Sequence, residues 1–340
     1  MKIKKIVLAM TLMISVTLLF GCSQKTEDSN KEQVDNKVSI VTTVFAPYDF
    51  AKQVAREYGD VTMLVPPASE SHSYEPTPQD IMKIESCDVF IYGGGDSDEW
   101  VRGILSSIQN KDIQVIKMMD CVEVVEEEIV EGMEHEHEHE HEEEEEHEHE
   151  HEEEHEHEGE HEEEIEYDEH VWTSPENAIA IVKAIEAKLQ ELDLAHETVY
   201  KQNADQYIDQ LNELDAAFKE VIAGAKRKEV IFADRFPLRY FVEAYDLDYY
   251  AAFPGCSTDT EPSAATVAFL IDKVKTDNIP VVFHIEMSNE KMADTICEAT
   301  GAKKQLFNAC HTVSKDDFEK NVTYVDIMNQ NVEALREALQ

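Results

Sequence analysis

Two lone histidines stand in segments suited to present them. His72 lies in Val65–Asp80, VPPASESHSYEPTPQD, a stretch too rich in proline and serine for helix or strand. A loop of this kind carries a side chain to a mouth and not into a core. Thr77-Pro78 then opens a helix, with Thr77 as N-cap and Pro78 in the first turn. His170 stands in DEHVWTSPENA and is followed by the same device, Ser174 as cap and Pro175 at the helix start. Imidazole is a ligand for zinc, copper and nickel, so the chemistry on offer is metal binding.

Between the two lies an unusual run. Residues 134–164 hold 20 Glu, 10 His and one Gly, and they supply -20 of the formal net charge of -45. With no apolar residue the run cannot form a core. Its Glu-His alternation sets successive histidines on one side of an extended chain. Charge blocks are most often only solvated surface. Ten histidines are not needed for solubility, however, and the run reads as a weak, multi-site metal collector separate from a tight site.

The elements that must position the lone histidines follow a repeated strand–helix–strand order. Strands are expected at Val38–Val44, Val61–Val65, Asp88–Tyr92 and Ile113–Met118, with helices at Pro47–Tyr58, Gln79–Glu85 and Asp98–Ile108. Helices follow at Pro175–Leu194 and Glu197–Ile222. In the second, Tyr200, Tyr207, Leu211, Leu214, Phe218 and Val221 make one apolar stripe, while His196 at its start reads as a surface residue. The pattern then restarts with strands at Glu229–Ala233, Leu247–Ala251, Val281–Ile285 and Gln305–Phe307. Helices are expected at Phe236–Tyr245, from near Pro262, at Ser288–Thr300 and at Val325–Leu339. Such alternation predicts an α/β fold: two domains with mostly parallel sheets, whose ligands gather at the carboxyl ends of the strands.

The N-terminus reads as a processing signal. Lys2, Lys4 and Lys5 precede an apolar stretch, Ile6–Phe20, too short for a comfortable membrane span. Leu19-Phe20-Gly21-Cys22 resembles a bacterial lipobox, with Phe20 where a smaller residue is usual. Cys22 is therefore expected to carry lipid and to tether the protein at the extracytoplasmic face of the cell membrane. The domain reading is signal peptide 1–21, lipidated tether 22–36, N-terminal α/β domain 37–195 containing the 134–164 run, linking helix 196–226, and C-terminal α/β domain 227–340. With 74 acidic residues against 29 basic ones, no basic patch argues for nucleic acid.

Taken in order, HSYEPTPQD, the Glu/His insertion, DEHVWTSPENA, the long helix, RYFVEAYDL and FHIEMSNEKMADTICEATGA resemble the zinc/manganese class of ABC-transporter solute-binding lipoproteins, over nearly the whole mature chain. The resemblance implies two α/β domains joined by a long backbone helix, with one metal ion in the cleft. His72 matches the first ligand of that class and His170 the second. It further implies a monomer that captures zinc and delivers it to the membrane permease of an ABC-type importer. Manganese is the alternative cargo, and a metal-dependent adhesin or structural lipoprotein the alternative role. The Glu/His insertion resembles the zinc-importing form, and nitrogen-rich sites favour zinc over manganese. No HExxH or nucleophile motif supports an enzyme.

The C-terminal half departs from the pattern. The third ligand of the class, His or Glu, aligns with Arg235, which cannot hold a cation; Asp234 is adjacent and could. For the fourth, the loop LFNACHTVS leaves Asn308 and His311 open, with His311 the better chemical candidate. The expected shell is thus His72, His170 and His311, with Asp234 or water completing it. Glu286 is expected to orient a ligand from behind, and His284 to be a satisfied core histidine. Cys256 and Cys310, each in a loop after a strand, are read as meeting at the cleft rim in a disulfide; a free Cys310 bound to metal is the rival reading.

Overall fold

The computed structural model describes residues 37–133, 166–257 and 262–340. The signal peptide, the tether with Cys22 and the Glu/His run fall outside these residues. Among the described residues no helix is long and apolar enough to cross a membrane.

Two four-stranded sheets carry the fold. The first is built from β1 (Val38–Thr42), β2 (Gly59–Met63), β3 (Val89–Tyr92) and β4 (Gln114–Lys117), in the order β2-β1-β3-β4. The second is built from β5 (Glu229–Phe236), β6 (Asp248–Pro254), β7 (Val281–His284) and β8 (Lys303–Leu306), in the order β6-β5-β7-β8. Every pairing in both is parallel. The two sheets therefore share one topology, and in each the chain changes direction beside its first strand. Ligand sites of parallel sheets collect at such points, beyond the carboxyl ends of the strands.

Helices α1 (Phe45–Ala55), α2 (Pro78–Ser86) and α3 (Glu99–Ser107) connect the first sheet, and α4 (Pro175–Leu192) follows it. The 27-residue α5 (Glu197–Ala223) comes next. Its expected stripe is buried from Tyr200 to Val221. At one end Tyr207 packs its ring on Phe50 and donates its hydroxyl to Asp49. At the other, Phe218 meets Phe241 and Tyr245 edge-on or tilted. One continuous cluster of buried apolar side chains thus runs from Ile40 and Ile91 through α5 to Val230 and Phe283. Each fully buried large side chain contributes about 1.5–3 kcal/mol, so α5 is held to the elements around both sheets.

The remaining helices are α6 (Arg239–Tyr245), α7 (Ala264–Thr276), α8 (Lys291–Thr300), α9 (Lys315–Glu319) and α10 (Tyr324–Ala338). Two starts differ from expectation for identifiable reasons. β5 runs on to Phe236 because a register shift between Phe232 and Arg235 lets Arg235 and Phe236 continue pairing with β6; α6 then starts only after Pro237. α8 starts at Lys291 because Met287 and Glu290 take left-handed conformations, with φ of 63° and 59°. His196 is partly exposed at the start of α5, as expected, and is held there. Its Nδ1 lies 2.7 Å from Asp193, and its ring stacks on Tyr58 at 4.0 Å between centroids. His284 is partly exposed, with Nδ1 3.1 Å from the Ile285 carbonyl.

Candidate metal centre

The loop after β2 delivers His72. Its far end is fixed by Thr77, which caps α2 through a reciprocal pair with Asp80, as the Thr-Pro pattern predicts. Nearer the middle, the Ala68 N–H donates to the Val313 carbonyl at 2.9 Å. His170 precedes α4 in a short turn, and Thr173 donates back to its carbonyl at 2.8 Å. Pro175 opens α4 as expected, although the Ser174 side chain makes no capping bond. The loop after β8 delivers His311. Glu286, just beyond β7, accepts the N–H groups of Ala309 at 2.7 Å and His311 at 2.9 Å. Glu286 therefore shapes the loop that aims the third imidazole, acting on backbone and not on the ring.

These loops bring His72, Glu169, His170 and His311 together, one ligand atom from each lying within 4.8 Å of all the others. The His170–His311 ring centroids are 4.5 Å apart and the rings near perpendicular. His72 Nε2 is 3.6 Å from Glu169 Oε1. His170 is fully buried, and Glu169 and His311 are buried. Tetrahedral zinc with Zn–N of about 2.0 Å needs ligand atoms about 3.3 Å apart, so a modest contraction of the group would seat it.

Tautomers are set from outside the group. Asp168 Oδ1 lies 3.0 Å from His170 Nδ1, and Glu70 Oε1 lies 2.9 Å from His72 Nδ1. A carboxylate only accepts, so each Nδ1 carries the proton and each Nε2 offers a lone pair. Both Nε2 atoms are buried without a hydrogen-bond partner. A buried polar atom left unpaired costs about 1–3 kcal/mol, which a metal bond would offset. The His311 ring is driven well below the usual imidazole range by burial, with His170 and His72 adding to the effect. At His170 burial pulls the same way, but the Asp168 carboxylate outweighs it and the net direction is upward.

Glu169 was not singled out from sequence. The signal was its place beside His170 in the Asp-Glu-His triplet. Its Oε2 accepts the Ser97 N–H at 3.1 Å and its Oε1 the Ser97 hydroxyl. Gly95 makes the approach possible, since a Cβ there would stand 2.2 Å from Glu169 Oε2.

Asp234 does not join the group. Its Oδ1 accepts the Arg235 N–H at 2.9 Å and its Oδ2 the Ile285 N–H at 3.3 Å, so the carboxylate is spent on holding β5 to β7. Arg235 pairs with Glu70, Nη2 to Oε2 at 2.9 Å, while its Nη1 stands 3.5 Å from His72 Nδ1. Asn308 is absent from the group as well. It accepts the Cys310 N–H at 2.7 Å and builds the loop. The expected disulfide is not formed: Cys256 and Cys310 are free thiols. Cys310 is buried in the core at a left-handed φ of 59°, outside the four-residue group, so it is not a ligand candidate either.

Comparison with known proteins points to zinc as the cargo. A family described as ZnuA, zinc-uptake complex component A, periplasmic, matches residues 40–338. The chain belongs to this family. It is thus a solute-binding component of zinc uptake, in a family of transport components and not of enzymes. The high-affinity zinc uptake system protein ZnuA of Bacillus subtilis is 33% identical over 325 residues, covering 95% of this chain and 94% of that one. The zinc-binding lipoprotein AdcA of Streptococcus pneumoniae is 30% identical over 309 residues; the match spans 91% of this chain but 57% of AdcA. Among solved structures, the metal-dependent lipoprotein YcdH of Bacillus subtilis aligns with a TM-score of 0.71 at 30% identity, over 89% of this chain and 100% of that one. The Zn(II)-bound ZnuA-like domain of Streptococcus pneumoniae AdcA gives 0.69 at 27%, over 89% and 99%.

Proposed function

We propose that this chain captures one zinc ion outside the cytoplasm, holds it through His72, His170, His311 and Glu169, and releases it to the membrane permease of an ABC-type importer. The observation that carries the reading is the pair of orphaned, buried Nε2 atoms of His72 and His170, aimed at the same point as His311 and a carboxylate. Three nitrogens and one oxygen in a compact group suit zinc, whereas manganese prefers more oxygen ligands and a higher coordination number. The proposal includes the N-terminal features: removal of residues 1–21, lipid on Cys22 and residues 22–36 as tether, with the protein acting as a monomer. In the same reading the α/β domains span 37–195 and 227–340, with 196–226 linking them.

The test is zinc-induced stabilisation. A ligand bound only by the folded state stabilises it by RT ln(1 + [L]/Kd), about 4 kcal/mol at a thousandfold excess over Kd. His72→Ala, His170→Ala, His311→Ala and Glu169→Gln should each remove most of the zinc-induced rise in melting temperature. An undiminished rise in any one of them would strike that residue from the shell.

A further inference from the structure

Arg235 is the oddest residue near the centre, a cation beside a cation site. Its surroundings explain how it is tolerated. Nη2 lies 2.9 Å from Glu70 Oε2, and Nη1 reaches the Ser257 carbonyl at 3.4 Å. Glu70 in turn gives its other oxygen to His72. Oε1 is 2.9 Å from His72 Nδ1, accepts the Ser71 N–H at 3.0 Å and lies 3.3 Å from the His72 N–H. Behind Arg235, Asp234 ties its backbone to that of Ile285. A continuous polar chain therefore runs from β5 and the end of β7, in the second sheet, to the imidazole of a loop that belongs to the first.

We infer that Arg235 is a positioning residue for zinc binding, a latch that reaches across the cleft through Glu70 and holds the His72 ring at the angle its Nε2 needs. This rests on His72 being a ligand. The other polar contacts of that ring are long: Arg235 Nη1 and Ser71 Oγ each stand 3.5 Å from its Nδ1. The Ala68 contacts to Val313 and Thr312 fix the backbone four residues away but do not touch the imidazole. Glu70 is exposed, and without Arg235 its Oε2 loses its hydrogen-bond partner, leaving the carboxylate held through Oε1 alone. The forked guanidinium holds the carboxylate from its second oxygen, which a single ammonium does less well.

Two opposed effects of Arg235 make the idea testable. As a bare charge it repels zinc, and its removal would leave Glu70 uncompensated and tighten binding. As a latch, its removal frees His72 and weakens binding. Groups behind metal ligands are typically worth about 10- to 100-fold in affinity.

The experiment uses the full chain and measures zinc affinity by competition with a chelator. Arg235→Gln, Glu70→Ala, the double variant and Arg235→Lys are compared with wild type. The latch predicts at least about tenfold weaker binding in Arg235→Gln and in Glu70→Ala, with the double variant no worse than Glu70→Ala alone. Arg235→Lys should recover part of the loss, and it also serves if Arg235→Gln fails to fold. The melting temperatures of the zinc-free forms should stay close to wild type, which a merely structural role would not allow. Tighter or unchanged binding in Arg235→Gln overturns the latch, as do additive losses in the double variant. His72→Ala, measured alongside, separates the two readings: unchanged zinc binding there would remove His72 from the shell, whatever Arg235 does.

Discussion

Asp168 binds His170 twice. One oxygen, Oδ1, accepts the His170 backbone N–H at 2.8 Å and sits 3.0 Å from its Nδ1. Both residues are buried, so nothing in water competes for these bonds. The carboxylate fixes the ring's orientation and tautomer and makes Nε2 a better donor to a metal. Asp168→Asn keeps the shape and removes the charge. Zinc affinity should fall by about 10- to 100-fold, measured by chelator competition. An affinity equal to wild type would mean that ring placement is set by packing against Trp172 and His311 alone.

The Glu/His run and the centre should behave as separate sites. The two chain segments that flank the run are stitched to each other: the Glu127 N–H donates to the Glu166 carbonyl at 2.9 Å and the Asp168 N–H to that of Val125 at 3.0 Å. His72, Glu169, His170 and His311 already supply four ligand atoms within 4.8 Å of one another. Deleting residues 134–164 should therefore abolish the weaker zinc equivalents and leave one tightly held ion. Elemental analysis after extensive dialysis would check this, and loss of that last ion would make the run part of the tight site.

Much of the frame was legible beforehand because periodicity and helix-start signals are local. The Thr77 cap, Pro175 and the α5 stripe each follow from a few neighbouring residues. His72 and His170 were legible because each stands alone in a segment unsuited to a core. What failed was long-range. Asp234 looked available as an acid beside Arg235, but its value depends on the Ile285 N–H some fifty positions later. Cys256 and Cys310 both follow strands, yet Cys310 faces inward at a left-handed turn, so the loops do not present the two sulfurs to each other. Glu169 was hidden by adjacency: a carboxylate next to His170 adds nothing until the loop shows both pointing the same way.

The free thiols have a direct consequence. With no disulfide to break among the described residues, reductant should leave the melting temperature unchanged within error. Cys310 is fully buried, and burial pushes its thiol well above the usual range. It should react with a thiol reagent only on unfolding. Cys256 is partly accessible and should react before Cys310, although burial and then Glu169 and Glu127 also raise its thiol. A peptide map showing the two cysteines joined would contradict this.

Asp98 should make the zinc-free protein pH-sensitive. Burial, and then the Glu169 carboxylate, push it up to about 7, against the opposing pull of the Gly93 and Gly94 N–H groups. The unfolded chain ionises this group near pH 4. Between about pH 4 and 7 the folded state therefore holds a proton that the unfolded state has released. Its contribution to stability falls as pH rises through that window and is level above it. Asp98→Asn keeps an oxygen for the Gly93 N–H and has nothing to titrate. Relative to wild type, the variant should gain stability as pH rises from 4 to 7. Parallel melting curves for the two proteins across that range would count against a raised Asp98.

Gly95 offers a test of Glu169 that changes no ligand. Its backbone, at φ -87° and ψ -161°, is open to any L-residue, so alanine meets no conformational penalty there. Space is the obstacle. A Cβ at position 95 would fall 2.2 Å from Glu169 Oε2 and 2.3 Å from Glu169 Cβ. The Glu169 carboxylate would have to leave its bonds to Ser97, and because its Cβ is rooted in the main chain the backbone at Glu169 would have to shift as well. Such overpacking costs about 1–3 kcal/mol, which lowers the melting temperature of the zinc-free protein without preventing folding. The larger effect should be on the cargo. With the carboxylate displaced and the backbone next to His170 shifted, zinc binding in Gly95→Ala should weaken at least as much as in Glu169→Gln. Combining the two changes should add little more. If Gly95→Ala binds zinc as wild type does while showing the lower melting temperature, Glu169 has moved without consequence and the fourth position belongs to water.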